Sequence, residues 1–214
     1  MKHLPVTVIL ALICFPATLP LWAEEADAPK EDQAAELAME LANPIASLIS
    51  VPFQANMDYG MGPTNNGQRF TLNFQPVIPI SISKDWNLIL RTIVPMIDQK
   101  DIVYQDVHIE GQPAQNRSQS GLGDTVQSFF FSPKEPGYGG LIWGVGPVLL
   151  YPTATHPFLG SGKWGAGPTA VALVQKNGWT VGALANQIWS TGGEDSRSEI
   201  SATYLQPFVA YTTN

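Results

Sequence analysis

Apolar and polar residues alternate most clearly in two segments of the chain, 70–80 and 86–96. In both segments most of the large apolar residues fall on even-numbered positions and polar residues such as Thr71 and Arg91 on odd ones, although Ile89 and Ile93 blur the parity of the second segment. Because successive side chains of a strand point to opposite faces, this pattern predicts an antiparallel hairpin with one apolar face and one mixed face. Ten residues at about 3.3 Å each, tilted by about 40°, rise roughly 25 Å, which is the height of the apolar band of an outer-membrane barrel.

Six further segments show the same alternation and complete a set of eight predicted strands. They are residues 51–59, 124–132, 140–152, 168–175, 179–189 and 200–211. In 140–152 the large residues share one parity, while Gly144 and Gly146 share the other, so the large set is expected to face lipid and the glycines a crowded interior. In 200–211 both parities carry large apolar residues, which leaves the outward side of this strand open.

The connections between these segments alternate between short and long. The short ones are the turns at 81–85, 133–138 and 176–178, and the longer ones are 60–67, 98–123, 153–167 and 191–199. Outer-membrane barrels sort their connections in this way, with short periplasmic turns and longer outer loops, whereas a secreted β-sandwich has no reason to do so. The parity of the connections also places the N-terminus in the periplasm.

The N-terminal region precedes the alternating segments. Residues 1–23 have the basic start, apolar run and terminal alanine of a secretory signal peptide. Its single cysteine, Cys14, follows Ile13 rather than a small residue, which disfavours a lipid anchor and leaves the mature chain without a thiol. Residues 24–46 are an acidic lead-in followed by a short amphipathic helix that stops at Pro44. This helix could cap the periplasmic mouth of a barrel, enter its lumen as a plug, or bind a partner.

Residues 47–214 are expected to form the barrel domain. The predicted fold is therefore all-β, an antiparallel transmembrane β-barrel with eight visible strands and a short N-terminal amphipathic helix. The chain stops at Asn214, just past the eighth strand and without a terminal aromatic residue, so we expect a C-terminally incomplete barrel of naturally about twelve strands. The predicted location is the cell outer membrane, reached by signal-peptide-dependent export to the periplasm.

Composition agrees with this class of protein. Charged residues make up 14% of the chain, below the roughly 25% of ordinary soluble domains, and Gly (19) and Pro (18) are abundant. The formal net charge of −7 argues against a nucleic-acid partner, because phosphate binding needs clustered Lys and Arg. No run of 18 apolar residues follows the signal, which excludes a helical membrane span.

Two sets of residues are candidates for function. Polar residues opposite the lipid-facing runs are candidates for lining a pore: Asn73, Gln75, Asn87, Arg91, Gln127 and Asn186. Aromatic residues at strand ends are candidates for the two membrane interfaces: Tyr59, Trp86, Tyr151, Trp179 and Trp189. A charge facing lipid at mid-bilayer would cost roughly 2–4 kcal/mol, so Arg91 is expected to face inward, where it either favours anions or pairs with an acidic neighbour.

A phosphate-binding loop is suggested only weakly by residues 160–163. The first glycine of such a loop would stand at position 157, which is Pro157, and Trp164 replaces the hydroxyl residue that should hold Mg²⁺. We therefore interpret these glycines as loop turns.

Some outer-membrane barrels are hydrolases, and the polar loop residues of this chain bear on that possibility. Asp106 and His108 share one loop, and Ser118 and Ser120 lie further along it, but no motif fixes a nucleophile beside a base. His108 and His156 stand in separate loops without the spacing of metal ligands. We expect no enzyme activity, no cofactor and no metal site.

Five segments together resemble one known family. They are residues 42–54, 73–95, 120–134, 165–190 and 205–213. They are similar to the bacterial outer-membrane family described as "MetA-pathway of phenol degradation" transporters, sometimes mislabelled neuromedin U. The resemblance implies a channel for small molecules, including aromatic ones, and supplies no catalytic residues. Its members usually continue well beyond the end of this chain.

The predicted function is therefore passive passage of small molecules, including aromatic or hydrophobic compounds, through an outer-membrane channel or transporter. The alternative is a structural or partner-binding barrel with a filled lumen, and a loop-borne hydrolase is the third hypothesis. The expected partners are outer-membrane lipid, a small-molecule solute and, during biogenesis, the barrel-assembly machinery.

Overall fold

The protein folds as one antiparallel β-sheet with a single short α-helix. A computed structural model describes residues 6–16, 31–62, 65–102 and 118–212, of which 6–16 and 31–34 are described by their backbone alone. The elements are β1 (Val6–Pro16), α1 (Glu31–Leu41), β2 (Ser50–Met61), β3 (Gly67–Phe74), β4 (Val77–Ser81), β5 (Trp86–Lys100), β6 (Ser118–Leu122), β7 (Thr125–Pro133), a 3-10 turn (Tyr138–Gly140), β8 (Leu141–Tyr151), β9 (Lys163–Lys176), β10 (Trp179–Gly193) and β11 (Ser201–Tyr211). The prediction of an all-β antiparallel fold is confirmed.

The sheet is a meander in which neighbours along the chain are neighbours in space. Its order is β1-β2-β3-β5-β7-β8-β9-β10-β11. Strand β4 continues the line of β3 against β5, and β6 pairs with the C-terminal part of β5. We call the end where β5, β8 and β10 begin the turn end, because the turns 82–85, 134–140 and 177–178 lie there. The opposite end, with connections such as 152–162 and 194–200, is the loop end.

The predicted strand 70–80 is in fact two strands. The break falls at Gln75 and Pro76, where the ladder between β3 and β5 stops and that between β4 and β5 begins. Pro76 has no N–H to give to a ladder, but its carbonyl oxygen still accepts from the amide of Thr92 at 3.0 Å. The Gln75 amide instead donates to the Pro52 carbonyl of β2 at 3.0 Å, so the interruption is hydrogen-bonded on both sides.

Other boundaries differ from the prediction as well, and β10, predicted to end at residue 189, runs on to Gly193. The long connection predicted at 98–123 is shorter, because β5 runs on to Lys100 and β6 pairs with it over Ser118–Leu122. The strand predicted at 168–175 begins earlier, at Lys163. Asp106 and His108, the centre of the hydrolase hypothesis, lie outside the described residues.

The N-terminal region contributes one strand and the helix. The backbone of β1, which lies within the predicted signal peptide, pairs antiparallel with β2 from Val6 opposite Tyr59 to Pro16 opposite Ser50. Cleavage of a signal is a processing event, so the signal peptide stays a prediction. The short helix predicted before Pro44 is present as α1.

Several strands, β5, β7, β9 and β10 most clearly, present one buried and one more exposed face. On β7 the side chains of Ser128, Phe130 and Ser132 are buried, while Phe131 on the other face is 42% exposed. The largest cluster on the buried face is apolar and consists of Ile45, Val77, Ile89, Phe130, Val171, Leu173 and Leu184, with Ile142 and Phe208 packed against it. Phe208 belongs to β11 and Val77 to β4, strands that lie far apart in the order of the sheet. The sheet therefore curls, so that these distant strands share one core.

Glycines on the buried face permit this curl. Gly146 of β8 would place a Cβ atom 1.9 Å from the Phe129 carbonyl oxygen, and Gly167 of β9 would place one 1.8 Å from the Gln187 carbonyl oxygen. No side chain can occupy either position unless the adjacent backbone moves. The expectation that Gly144 and Gly146 face the crowded side of their strand is confirmed.

The segment after α1 covers the turn end of the buried face. Ile45 is 3% exposed and belongs to the apolar cluster, and its amide donates to Asn43 Oδ1 at 3.0 Å. The Gln175 side chain of β9 donates to the Met39 carbonyl oxygen at 2.6 Å, which ties the end of α1 to the sheet. The helix itself stays outside, with Leu37 exposed. Ile45 and Ala46 are buried, whereas the described side chains of α1 are exposed or half-buried, so the segment after the helix, rather than the helix itself, enters the buried face.

Candidate ligand site on the buried face

The exposed face of the sheet is apolar over most of its area. On β2–β11 the only charged residues at outward positions are Asp98, Lys100 and Lys176, each near the end of a strand. Aliphatic side chains there are widely open, as shown by Leu205 at 71% exposure. Ordinary monomeric proteins rarely expose apolar patches beyond a few hundred Å², so this face has the composition of an interaction surface.

The five predicted interface aromatics all lie on this exposed face. Trp86 and Trp179 stand at the turn end, and Tyr59, Tyr151 and Trp189 stand toward the loop end. Ring pairs extend both groups: Trp86 with Trp143 at 5.9 Å, Trp179 with Tyr211 at 4.8 Å, and Tyr151 with Trp164 at 5.6 Å between ring centroids.

The sequence left the outward side of β11 open, and the pairing of Trp179 with Tyr211 decides it. The register of β10 and β11 places Val181 opposite Val209 and Ala185 opposite Leu205 on the exposed face. Phe208 consequently points to the buried face, where it meets the apolar cluster. No period-two rule could separate the two parities here, because both carried large apolar residues.

Five of the six predicted pore-lining residues lie on the buried face. Asn87, Arg91, Gln75 and Asn186 are buried, and Asn73 lies on the same side of β3 as Arg69. Gln127 departs from the prediction: it shares the exposed face with Phe129 and Phe131, and accepts a hydrogen bond from Thr92 at 2.6 Å. The two side chains, which lie on neighbouring strands, satisfy each other's hydrogen bonding. Gln127 can therefore occupy an outward position without contact with a water-filled lumen.

A chain of hydrogen-bonded side chains crosses the buried face from β5 to β2. Arg91 Nη2 donates to Gln75 Oε1 at 2.5 Å, Gln75 Nε2 donates to Gln54 Oε1 at 2.8 Å, and Gln54 Nε2 donates to Asn56 Oδ1 at 3.1 Å. Arg91 is only 8% exposed. The acidic neighbour considered for Arg91 is absent among the described residues, where its hydrogen-bond partner is a neutral amide.

The other cations of the buried face each lie beside a carboxylate. Lys163, which is also buried, donates to Glu199 Oε1 at 2.8 Å. Arg69 donates twice to Gln99 Oε1, at 3.0 and 2.8 Å, and its strand partner in the register is Asp58. Among the described cations of the buried face, Arg91 is thus the one without a carboxylate beside it.

An unsatisfied hydroxyl lies beside Arg91. Ser128 of β7 stands directly opposite Arg91 of β5 in the register, on the same buried face. Its Oγ is the buried side-chain polar atom of the described residues that has no hydrogen-bond partner. Residues opposite each other on antiparallel strands have Cβ atoms about 4.5–5.5 Å apart, so the free hydroxyl and the guanidinium share one neighbourhood.

A cavity of about 480 Å³ opens onto Arg91 from the turn end. Residues of β2, β11 and the segment after α1 form its walls, and most of these are apolar: Leu41, Pro44, Pro52, Val77, Leu184 and Phe208. The polar part of the lining consists of Asn43, Ser50, Gln54, Gln75, Arg91 and Gln206, and none of the described lining residues is acidic. The two edge strands of the sheet, β1 and β11, are not paired with each other among the described residues.

The connection 152–162 at the loop end is held by a carboxylate. Asp124 Oδ2 accepts from the amide and the hydroxyl of Ser161, both at 2.6 Å, and Oδ1 accepts from the Ala154 amide at 3.2 Å. A protein carboxylate thus takes the donors that a phosphate would need, which agrees with interpreting residues 160–163 as turns. His156 Nδ1 accepts from the Phe158 amide at 3.2 Å.

At the start of β9, the Lys163 ammonium donates to Glu199, which also accepts from Ser190. These hydrogen bonds, of which that from Lys163 has the largest effect, hold the pKa of the Glu199 carboxyl below its usual value.

In the described ranges no group of three or more His, Cys, Asp and Glu side chains is arranged to hold a metal ion. Nor does any helix within them have the length and apolar character needed to cross a membrane.

Comparison with family models, curated proteins and solved structures finds no match to this chain. The resemblance to the phenol-degradation transporter family therefore stays a prediction.

Proposed function

We propose that the chain forms an outer-membrane β-barrel that passes small molecules, including aromatic or hydrophobic ones. The observation that carries this proposal is an exposed apolar face bounded by aromatic rings at both ends. Trp179 and Trp189 stand ten residues apart on β10. That spacing is roughly 33 Å along the strand and about 25 Å along the axis of a barrel with strands tilted by about 40°, which matches a bilayer.

The buried face strengthens the argument because it already has its own core. Phe130, Ile89 and Leu173 belong to one apolar cluster, and all three are fully or almost fully buried. In a soluble two-layer protein, a second layer covers an apolar face of the sheet. In this protein the residues packed inside the curled sheet cover the inner face, and the outer apolar face has no such cover among the described residues. Its outer apolar face is left for hydrocarbon.

The same core favours a second candidate function, a barrel with a filled lumen that acts as a structural or partner-binding element. Ile45 enters the core at the turn end, and Leu159 is buried beneath the loop end. Both residues fill space inside the curled sheet, so passage through the turn end would require Ile45 to move.

Reconstitution tests the membrane part of the proposal. The protein is refolded into vesicles whose acyl chains carry bromine at different depths, and quenching of tryptophan fluorescence is measured. We expect shallow bromines to quench most strongly, because Trp86, Trp143, Trp179, Trp164 and Trp189 stand near the strand ends. A detergent-free, soluble monomer without such quenching would overturn the barrel.

Solute entry tests the channel part. Vesicles with the protein are assayed for bilayer conductance and uptake of small aromatic solutes, using the chain as it stands, Ile45→Ala, and Leu37→Ala as the control on the exposed side of α1. We expect Ile45→Ala to increase uptake and Leu37→Ala to leave it unchanged, because only Ile45 lies in the core. A folded, inserted protein that passes nothing in all three forms would reject the channel and leave the filled barrel.

A further inference from the structure

We infer that Arg91 is the charged centre of a binding site for small amphipathic organic anions, whose carboxylate meets the guanidinium and whose apolar body fills the cavity beside β11. The inference rests on the proposed function, because it names the class of solute that the barrel would admit.

The first step is the isolated charge of Arg91. Burying a charge is costly unless a counter-charge and hydrogen bonds compensate it, and buried cations are accordingly paired in most proteins. Arg91 has a neutral partner, Gln75, whereas Lys163 on the same buried face has Glu199 at 2.8 Å. An anion entering the cavity would supply the charge that the described residues do not.

The second step is the number of donors. A guanidinium carries five N–H groups in a planar fork, and a carboxylate can accept two of them side by side. One donor of Arg91 is given to Gln75 among the described residues, which leaves such a pair available. The unsatisfied Ser128 hydroxyl lies opposite Arg91 in the register but does not line the cavity, so the guanidinium alone supplies this pair.

The third step is the shape and chemistry of the cavity. Its volume of about 480 Å³ lies within the range of pockets that bind small molecules, roughly 300–1,000 Å³. Its walls near Arg91 include Val77, Leu184 and Phe208, and no described acidic side chain lines it. A purely inorganic anion would leave these apolar walls unused, and a neutral hydrocarbon would leave the charge uncompensated. An aromatic monocarboxylate uses both.

The fourth step is position. Arg91 follows Ile89 by one inward step on β5, and Ile89 belongs to the apolar cluster. Electrostatic attraction is stronger beside such a low-dielectric wall than in water. The protein as a whole carries a net charge of −7, so a cationic cavity without an acidic residue is a local feature and not a consequence of overall charge.

The experiment measures binding of benzoate to the full chain refolded in detergent, by calorimetry. The variants are Arg91→Gln, which keeps a planar amide but removes the charge, and Arg69→Gln, a control at the other inward arginine, which already has Gln99 and Asp58 beside it. Benzamide and acetate serve as probes that lack the charge or the apolar body. Thermal unfolding of each variant reports that it is folded.

We expect saturable benzoate binding that Arg91→Gln weakens about 10- to 100-fold and Arg69→Gln leaves unchanged, with benzamide and acetate binding more weakly than benzoate. Benzoate is also expected to raise the unfolding temperature of the unaltered chain and not that of folded Arg91→Gln. Equal benzoate affinity of Arg91→Gln and the unaltered chain, or no saturable binding by the folded protein, would overturn the site.

The failure of this inference can be told from the failure of the proposed function. If vesicles take up neutral aromatic solutes while the folded protein does not bind benzoate, the anion site is wrong and the channel stands. If benzoate binds through Arg91 in detergent while vesicles pass no solute, the site stands and the channel is wrong.

Discussion

Two adjacent phenylalanines on β7 give the sharpest test of which face of the sheet is the core. Phe130 is 0% exposed and lies in the apolar cluster, whereas Phe131 points to the other face. Phe130→Ala and Phe131→Ala remove the same atoms from neighbouring positions of one strand. Differences in stability between the two variants therefore reflect the faces and not the strand.

The expected magnitudes follow from burial. Replacing a buried phenylalanine by alanine loses the transfer free energy of the ring and leaves a cavity, which together cost about 3–5 kcal/mol. Neighbouring atoms are already close to Phe130, since a Cβ added at Gly144 would lie 3.1 Å from its Cβ. Phe131 opens outward, so its removal leaves no closed cavity; full burial of a phenylalanine is worth roughly 1.5–3 kcal/mol, and its partial burial predicts a loss of about 1–2 kcal/mol.

The assay is urea unfolding of both variants in the same detergent or lipid vesicles, followed by tryptophan fluorescence. The free energy of unfolding is compared at a common slope m, because a change in m would signal a different unfolded state. The reasoning is refuted if Phe131→Ala destabilises the protein as much as or more than Phe130→Ala, which would make the present exposed face the packed one.

Two further predictions concern the loop end and the glycines. The hydrogen bond from Lys163 lowers the pKa of Glu199, so the unfolded chain takes up a proton near pH 4.5 more readily than the folded protein. The stability that this pair contributes is thus present above about pH 4.5 and is lost as the pH falls below it. Between neutral pH and about pH 3.5, the urea midpoint of Glu199→Gln should therefore fall less than that of the unaltered protein. Gly167→Ala should lower the unfolding free energy by about 1–3 kcal/mol, because its Cβ would lie 1.8 Å from the Gln187 carbonyl oxygen, while Gly192→Ala, with nothing within 4 Å, should change it little.

Most of the fold could be predicted because a period of two is a local signal. The parity of residues 140–152 placed Trp143 and Gly144 on opposite faces, as the structure has them. Parity alone does not say where a strand is interrupted. The break at Pro76 depends on which neighbouring carbonyl groups and amides can be paired, such as Pro52 of β2, and those partners come from other strands.

The candidate site was predictable only in part. Arg91 could be assigned to the inner side from the cost of exposing a charge to hydrocarbon. Its partner could not, because Gln75 reaches it through the break between β3 and β4 rather than through a regular register position. The misplaced residue, Gln127, shows the complementary limit: polarity indicates an inward position only when no polar residue on the adjacent strand can satisfy it, and here Thr92 does.

The two sides of the sheet together explain why one arginine matters. The outer side is apolar between its aromatic bands, and the inner side is apolar around Phe130 and Ile89, so the sheet has little room for an uncompensated charge on either face. The other inward cations are matched by carboxylates or lie near them. A charge kept at Arg91 without such a match raises the energy of the folded protein, and an anionic ligand is what would lower it again. The cavity that reaches Arg91 gives that ligand a way in.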